Sequence, residues 1–271
     1  MNKRKKYIDI QDSHISNFIK GKANWYLPKS GLWGKRYMEE KADVLTSQRT
    51  AFELDIIKRY AHDKKNILDI PCGYGRIANS LAADGFDVTG VDINEYFLDI
   101  ARRQAKNRSV ETKYIKEDMI KFRSKKKFDV VLNIFTSIGY YDSEYKNQKA
   151  IDNLCRLVKP DGTLVIETIN PYKLLKEYRK KRIKITAGGT KVIFENFFDY
   201  KTSTNVTRIV ERDKNGKINK ASHCIRIYFP HELINICLRN GLNLKEILNE
   251  RGKTKNILDS IRLWLIFRKS K

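Results

Sequence analysis

Apolar residues along the chain change spacing in a regular order. From 49 to 60, Leu54, Ile57 and Ala61, with Ile56 and Tyr60 beside them, recur at helical spacing. Strand-like and helix-like periods then alternate: strand 66–70, helix 76–84, strand 87–91, helix 95–106, strand 110–116, strand 129–133 and helix 144–157. Asn94 is placed to cap the second of these helices, whose apolar face is Phe97, Ile100, Ala101 and Ala105. The helix near 150 would bury Ala150, Ile151, Leu154, Cys155 and Val158. Lys159-Pro160-Asp161-Gly162 predicts a turn that leads into the buried run Leu164-Val165-Ile166. Strands that alternate with helices imply a mainly parallel sheet covered on both faces.

After Asn170 the pattern changes. Residues 172–184 predict a basic helical stretch, broken by Gly188-Gly189. Alternating runs at 191–200, 205–212 and 222–228, with an Asp213-Lys214-Asn215-Gly216 turn, predict an antiparallel meander. Pro230 opens a helix closed by Asn240-Gly241, and runs at 242–248 and 261–267, joined by the polar loop 249–259, predict a closing antiparallel pair at the sheet edge. The meander is therefore expected to be an insertion, not a separate domain.

Composition narrows the classes. A chain of 271 residues suits one sizeable domain with an elaboration, and no segment approaches the ~20 apolar residues of a membrane span. Lys3 to Lys6 have no apolar region behind them, so no secretory signal is expected. Cys72, Cys155, Cys224 and Cys237 are far apart and unaccompanied by histidines at ligand spacing. The expectation is a reduced, cytoplasmic, metal-free protein. The net charge of +23 comes from 55 Lys and Arg against 32 Asp and Glu, densest at 3–6, 121–127 and 173–184. A polyanionic partner would explain it, but scattered basic residues are placed first as solvated surface.

The densest chemistry lies in Ile67-Leu68-Asp69-Ile70-Pro71-Cys72-Gly73-Tyr74-Gly75-Arg76-Ile77-Ala78. An apolar run ending in an acid and a glycine loop predicts a strand, loop and helix that cradle a ligand, because Gly73 and Gly75 permit φ > 0 and the helix opening at Arg76 points its positive end there. A second run ends in Asp92, and Asp118 follows the next strand. Three acids and two glycines at successive strand ends describe a pocket for a nucleoside-bearing ligand. Gly73-x-Gly75-x-x-Ala78 also fits a dinucleotide pattern, with Asp92 on a ribose, so NAD is the competing ligand. Asp69, Asp118 and the closing strands weigh against NAD.

These stretches, with Val88-Thr89-Gly90-Val91-Asp92-Ile93, Lys116-Glu117-Asp118-Met119, Phe128-Asp129-Val130-Val131-Leu132-Asn133 and Leu157-Val158-Lys159-Pro160-Asp161-Gly162-Thr163-Leu164, make the chain resemble the class I S-adenosylmethionine-dependent methyltransferases over roughly 47 to 170. Pro71 departs from the pattern, standing where the family usually has its first glycine, and removes a backbone donor. The segment Phe135-Thr136-Ser137-Ile138-Gly139-Tyr140 is similar to the subset that modifies small molecules, including amino-sugar N-methyltransferases.

The resemblance implies an α/β fold: a Rossmann-like, doubly wound, mainly parallel seven-stranded sheet with an antiparallel closing strand and an antiparallel β insertion after strand five. Residues 47–271 would form the methyltransferase domain, including the insertion 172–228. Residues 1–46 would form a lid segment carrying Trp25, Tyr26, Trp33 and Tyr37. S-adenosylmethionine is the implied cofactor. Gly73 and Gly75 would pack on its methionine part, Asp69 and the Asn133 region would lie near its ammonium group, Asp92 would meet its ribose hydroxyls, Asp118 and Met119 its adenine, and Ile93 would also be a cofactor-binding residue.

The implied partner is a small-molecule acceptor. No His follows strand four, so Tyr140, with Tyr141, is the candidate catalytic group, as base or as packing. The lack of an obvious base favours an amine over a hydroxyl acceptor. The alternatives are an RNA methyltransferase or RNA-binding protein using the basic surface, and a cofactor-binding subunit without activity.

Overall fold

The computed structural model describes residues 47–61, 66–186 and 189–270. The expected lid segment 1–46 lies outside the described residues, as does Gly188. The domain opens with helix α1 (Ser47–Ala61). It continues through β1 (Asn66–Asp69), α2 (Arg76–Ala83), β2 (Asp87–Asp92), α3 (Glu95–Asn107), β3 (Lys113–Lys116), β4 (Phe128–Asn133), α4 (Glu144–Leu157) and β5 (Val158–Ile169). After α5 (Pro171–Lys176) come β6 (Lys181–Ile185), β7 (Lys191–Asp199), β8 (Thr204–Arg212) and β9 (Ile218–Arg226). The chain returns through α6 (Pro230–Arg239), β10 (Leu242–Asn249) and β11 (Arg262–Lys269).

The main sheet has seven strands in the order β10-β11-β5-β4-β1-β2-β3. Strands β1, β2, β3, β4 and β5 pair in parallel, and β11 runs antiparallel to both β5 and β10. The expected closing pair is therefore present, with its second strand inserted beside β5. Alternation along each strand sends neighbours to opposite faces. Leu68, Val131 and Leu265 pack with Ile151 and Leu154 of α4 and Leu233 of α6, while Ile67, Val130, Val165 and Trp264 pack with Ile56 and Ile57 of α1 and Ile77 and Leu81 of α2.

Local chemistry fixes the helix starts near the functional end. Ser143 caps α4 by accepting from the Lys146 N–H, and Asn170 caps α5 by accepting from the Tyr172 N–H at 3.0 Å, with Pro171 in the first turn. The turn at 159–162 appears as an interruption in β5, where pairing shifts from Val158 opposite Phe128 to Thr163 opposite Val130. A Cβ on Gly162 would lie 2.7 Å from Val158 Cγ1 and 2.8 Å from the Lys159 carbonyl oxygen, so this loop closes only around a glycine.

The insertion departs from expectation at its start. The stretch 172–184 is not one helix: α5 ends at Lys176, and Lys181–Ile185 form an exposed edge strand of a four-stranded antiparallel sheet, β6-β7-β8-β9. Ile183 and Ile185 alternate with Arg182 and Lys184, a period of two with β-branched residues, and pairing with β7 selects it over helix. The last insertion strand starts at Ile218, earlier than expected, and β3 starts later, at Lys113.

Candidate active site

Parallel pairing of β1, β2, β3 and β4 brings their carboxyl ends to one side, where an open sheet of this kind binds ligands. A cavity lies there, lined by Asp69, Ile70, Pro71, Cys72, Gly73, Tyr74 and Arg76 from the first loop and by Asp92, Ile93, Asn94 and Phe97 after β2. Glu117, Asp118 and Met119 line it after β3, and Ile134, Phe135, Ser137, Tyr140 and Tyr141 after β4. The three acids expected from their strand ends thus converge on one cavity, together with Gly73, Ile93, Met119 and Tyr140.

Asp69 is 1% exposed, and its Oδ1 has no hydrogen-bond partner among the described residues. Burial pushes its carboxyl up to about 8, with the Arg76 guanidinium pulling it down and the Asp92 carboxylate adding to the rise. A buried, unsatisfied carboxylate oxygen facing a cavity is a place for a cation or a strong donor.

Asp92 is held from both sides. Its Oδ2 accepts from the Gly73 N–H and its Oδ1 from the Asn94 N–H, each at 2.8 Å. Burial raises its carboxyl to about 6, opposed by the N–H groups of Asn94, Gly73 and Ile93. Each oxygen keeps a second lone pair, so the fixed carboxylate can accept two hydroxyls. Asp118 Oδ1 accepts from the Ile120 N–H at 2.8 Å and from the Tyr141 hydroxyl at 2.5 Å, which ties the β3 loop to the loop after β4.

The two glycines separate in role. Gly73, with φ +54, has open space where a Cβ would stand, so its backbone borders the cavity directly. Gly75, with φ +78 at the start of α2, does not line the cavity. A Cβ there would stand 2.3 Å from the Tyr114 hydroxyl and 2.7 Å from Ala101 Cβ, so this glycine serves the packing of the loop on α3 and β3.

Asn133 also lies behind the cavity wall, fully buried. Its Nδ2 donates to the Ile70 carbonyl at 2.7 Å and to Met119 Sδ at 3.2 Å. It joins the loops after β1 and β3 and is not among the described residues that line the cavity. Tyr140 lines the cavity, and burial drives its phenol well above the ordinary tyrosine value, so the group is a hydrogen-bond donor near neutral pH and a poor proton acceptor.

One buried residue beside the site went unrecognised in the sequence: Glu167 of β5, 1% exposed, is ion-paired to Arg49 and Arg262. The available signal was a charge inside the apolar run Leu164–Ile169, which demands buried partners. The insertion supplies no lining residue among the described ones; its last strand meets the loop after β4, where the Arg226 N–H donates to the carbonyl of Gly139, the residue before the lining Tyr140, at 2.8 Å.

Comparison with known proteins agrees with this geometry. Residues 67–162 match the methyltransferase domain family. A putative methyltransferase from Geobacillus sp. is 33% identical over 119 residues, covering 44% of this chain and 48% of its own. A ubiquinone biosynthesis O-methyltransferase from Rickettsia canadensis is 30% identical over 166 residues, 60% of this chain and 66% of its own. The chain therefore spans about half to two thirds of the length of these relatives. The fold is similar to that of an S-adenosylmethionine-bound amino pentose methyltransferase from Micromonospora echinaspora, with a TM-score of 0.66 at 17% identity, covering 88% of this chain and 98% of that one. Residues 67–162 thus match a methyltransferase domain, and the fold of the chain is similar to that of solved S-adenosylmethionine-dependent methyltransferases.

Proposed function

We propose that the protein transfers a methyl group from S-adenosylmethionine to a small-molecule acceptor, with an amine favoured over a hydroxyl. The observation that carries this reading is the convergence of Asp69, Asp92 and Asp118 on one cavity at the carboxyl ends of β1, β2 and β3. The residues fit the cofactor. The unpartnered Asp69 Oδ1 suits an ammonium group, the pre-held Asp92 carboxylate suits paired ribose hydroxyls, and Asp118 suits an exocyclic amine. Ile93 and Met119 would supply apolar walls to the base and sugar. When bound, the cofactor supplies a methyl group on a sulfonium, a leaving group that needs no further activation.

This chain's task is then to position and to exclude water. Tyr74, Phe97, Phe135, Tyr140 and Tyr141 wall the cavity with rings that displace solvent. In-line alignment at ~3 Å is worth several kcal/mol on its own. An amine that arrives neutral needs no base in the transition state, which agrees with the absence of histidine from the lining among the described residues and with the tightly held Tyr140 proton. Tyr140 would donate a hydrogen bond to the acceptor rather than remove its proton. Relatives named for ubiquinone biosynthesis and a neighbour named for an amino pentose support a small acceptor. The insertion 172–228, tied to the loop after β4 through Arg226 and Gly139, would cover the acceptor side and set substrate choice.

The test is native mass spectrometry of the purified protein for retained cofactor, followed by an acceptor screen with methyl-labelled S-adenosylmethionine that includes amines, phenols and RNA. Label appearing on a small amine supports the reading. Label on RNA alone would move the function to the nucleic-acid alternative, and binding without transfer to any class would point to a regulatory subunit.

A further inference from the structure

Directly after β4 the backbone does something costly. Phe135 and Thr136, neither of them glycine, take φ of +62 and +56 in succession. Left-handed geometry at two consecutive L residues persists only where the surroundings over-determine it. The surroundings here are Glu167. Its carboxylate accepts the Phe135 N–H, its carbonyl oxygen accepts the Thr136 N–H at 3.0 Å, and Arg262 Nη1 donates both to Thr136 Oγ1 at 2.7 Å and to the Glu167 carboxylate at 3.2 Å.

The clamp reaches further. Arg49 Nη2 of α1 lies 3.3 Å from Glu167 Oε1, and Arg49 and Arg262 place their guanidinium carbons 5.2 and 4.5 Å from the Phe135 ring centroid. Phe135 lines the cavity, whereas Glu167, Arg49 and Arg262 do not. A buried ion cluster that served only stability would have no need to direct its carboxylate at a strained turn. Burial raises the Glu167 carboxyl, and the Arg262 and Arg49 guanidinium groups oppose the rise.

We propose that Glu167 is a positioning residue for methyl transfer: clamped between Arg49 and Arg262, it locks the Phe135–Thr136 turn so that the Phe135 ring stands in the cavity wall. Glu167 touches neither cofactor nor acceptor in this assignment; it acts through Phe135. The assignment rests on the methyltransferase reading above for its catalytic meaning, but not for its structural content.

The experiment places 4-fluorophenylalanine at position 135 and records the ¹⁹F spectrum of the full chain, wild type and Glu167→Gln, with S-adenosylhomocysteine affinity measured by calorimetry on the same samples. Wild type should give one sharp resonance. Glu167→Gln, folded by circular dichroism, should give a shifted, broadened or divided resonance and bind S-adenosylhomocysteine at least fivefold more weakly. Arg262→Lys keeps the charge but loses the fork, and should move the resonance the same way to a smaller extent, which covers the case in which Glu167→Gln does not fold. An unchanged resonance and affinity in either folded variant would overturn the proposal. So would a lowered melting temperature with the resonance unmoved, which would make the cluster purely structural. If wild type itself fails to bind S-adenosylhomocysteine, the methyltransferase reading falls, while the resonance still reports whether Glu167 holds the turn.

Discussion

Cofactor binding is predicted to release a proton from Asp69. Raising this carboxyl from 3.8 to about 8 makes its ionisation in the cofactor-free protein about 6 kcal/mol costlier than in water, at about 1.4 kcal/mol per pH unit. At pH 7 a group titrating near 8 is about nine-tenths protonated, and an ammonium placed against it favours the charged form, so up to about 0.9 proton should leave on binding. Calorimetry at pH 7 in phosphate, HEPES and Tris reads this directly as the slope of observed enthalpy against buffer ionisation enthalpy. Affinity should strengthen about tenfold from pH 6 to 7, about fivefold from 7 to 8, and level off above. Asp69→Asn has no proton to lose, so its slope should be near zero, and its affinity at pH 8.5 should be weaker by about 2 kcal/mol, roughly 30-fold, the worth of a charge-assisted hydrogen bond. A wild-type slope of zero together with a pH-independent Kd from 6 to 9 would refute both the raised carboxyl and its pairing with an ammonium.

The same carboxyl sets a stability trend: because its folded value is raised, its contribution is fully present below about pH 4 and is lost as pH rises through about 8, so the cofactor-free melting temperature should fall across that window and Asp69→Asn should flatten the fall. Gly75→Ala forces a Cβ against Tyr114 and Ala101 at φ +78 and should destabilise the fold by about 1–3 kcal/mol in denaturant titration. Gly73→Val, strained at φ +54, should lose about 1–2 kcal/mol of stability and bind cofactor poorly, because its side chain enters the cavity; wild-type affinity in the folded variant would remove the loop from the site. Neutralising Arg179, Lys180, Lys181 and Arg182 together should spare cofactor affinity and weaken an anionic acceptor in a salt-dependent way; normal turnover at every salt concentration would make the basic run surface decoration.

The fold was legible where period and topology agree. Strands such as Ile67–Ile70 and Val88–Val91 are short apolar runs between turn signals, and their helices carry clean apolar faces, so a parallel sheet follows from order alone. Strand β6 was hidden because Lys and Arg fill 179–184 and composition suggested a solvated helix, while Ile183 and Ile185 carried the period of two. The acids of the site were visible for a topological reason: parallel strands bring their carboxyl ends together, so Asp69, Asp92 and Asp118 must meet.

Flanking residues are harder to sort. Gly75 sits two positions from Gly73, and Asn133 ends its strand as Asp92 does, yet both face the packed side; only the contacts with Tyr114 and with Ile70 reveal it. Glu167 showed only as a charge in an apolar run; its partners were beyond reach because Arg49 and Arg262 lie 118 and 95 residues away, and no local pattern links them.

The central claim is that this cavity is an S-adenosylmethionine site centred on Asp92. Titration of wild type and Asp92→Ala with S-adenosylmethionine at pH 8 tests it most directly. The fixed carboxylate would pair two ribose hydroxyls, so the account predicts one site per chain in the wild type and a loss of about 1–3 kcal/mol in a variant that remains folded. Equal affinity in a folded Asp92→Ala variant, or no binding by the wild type, would contradict it.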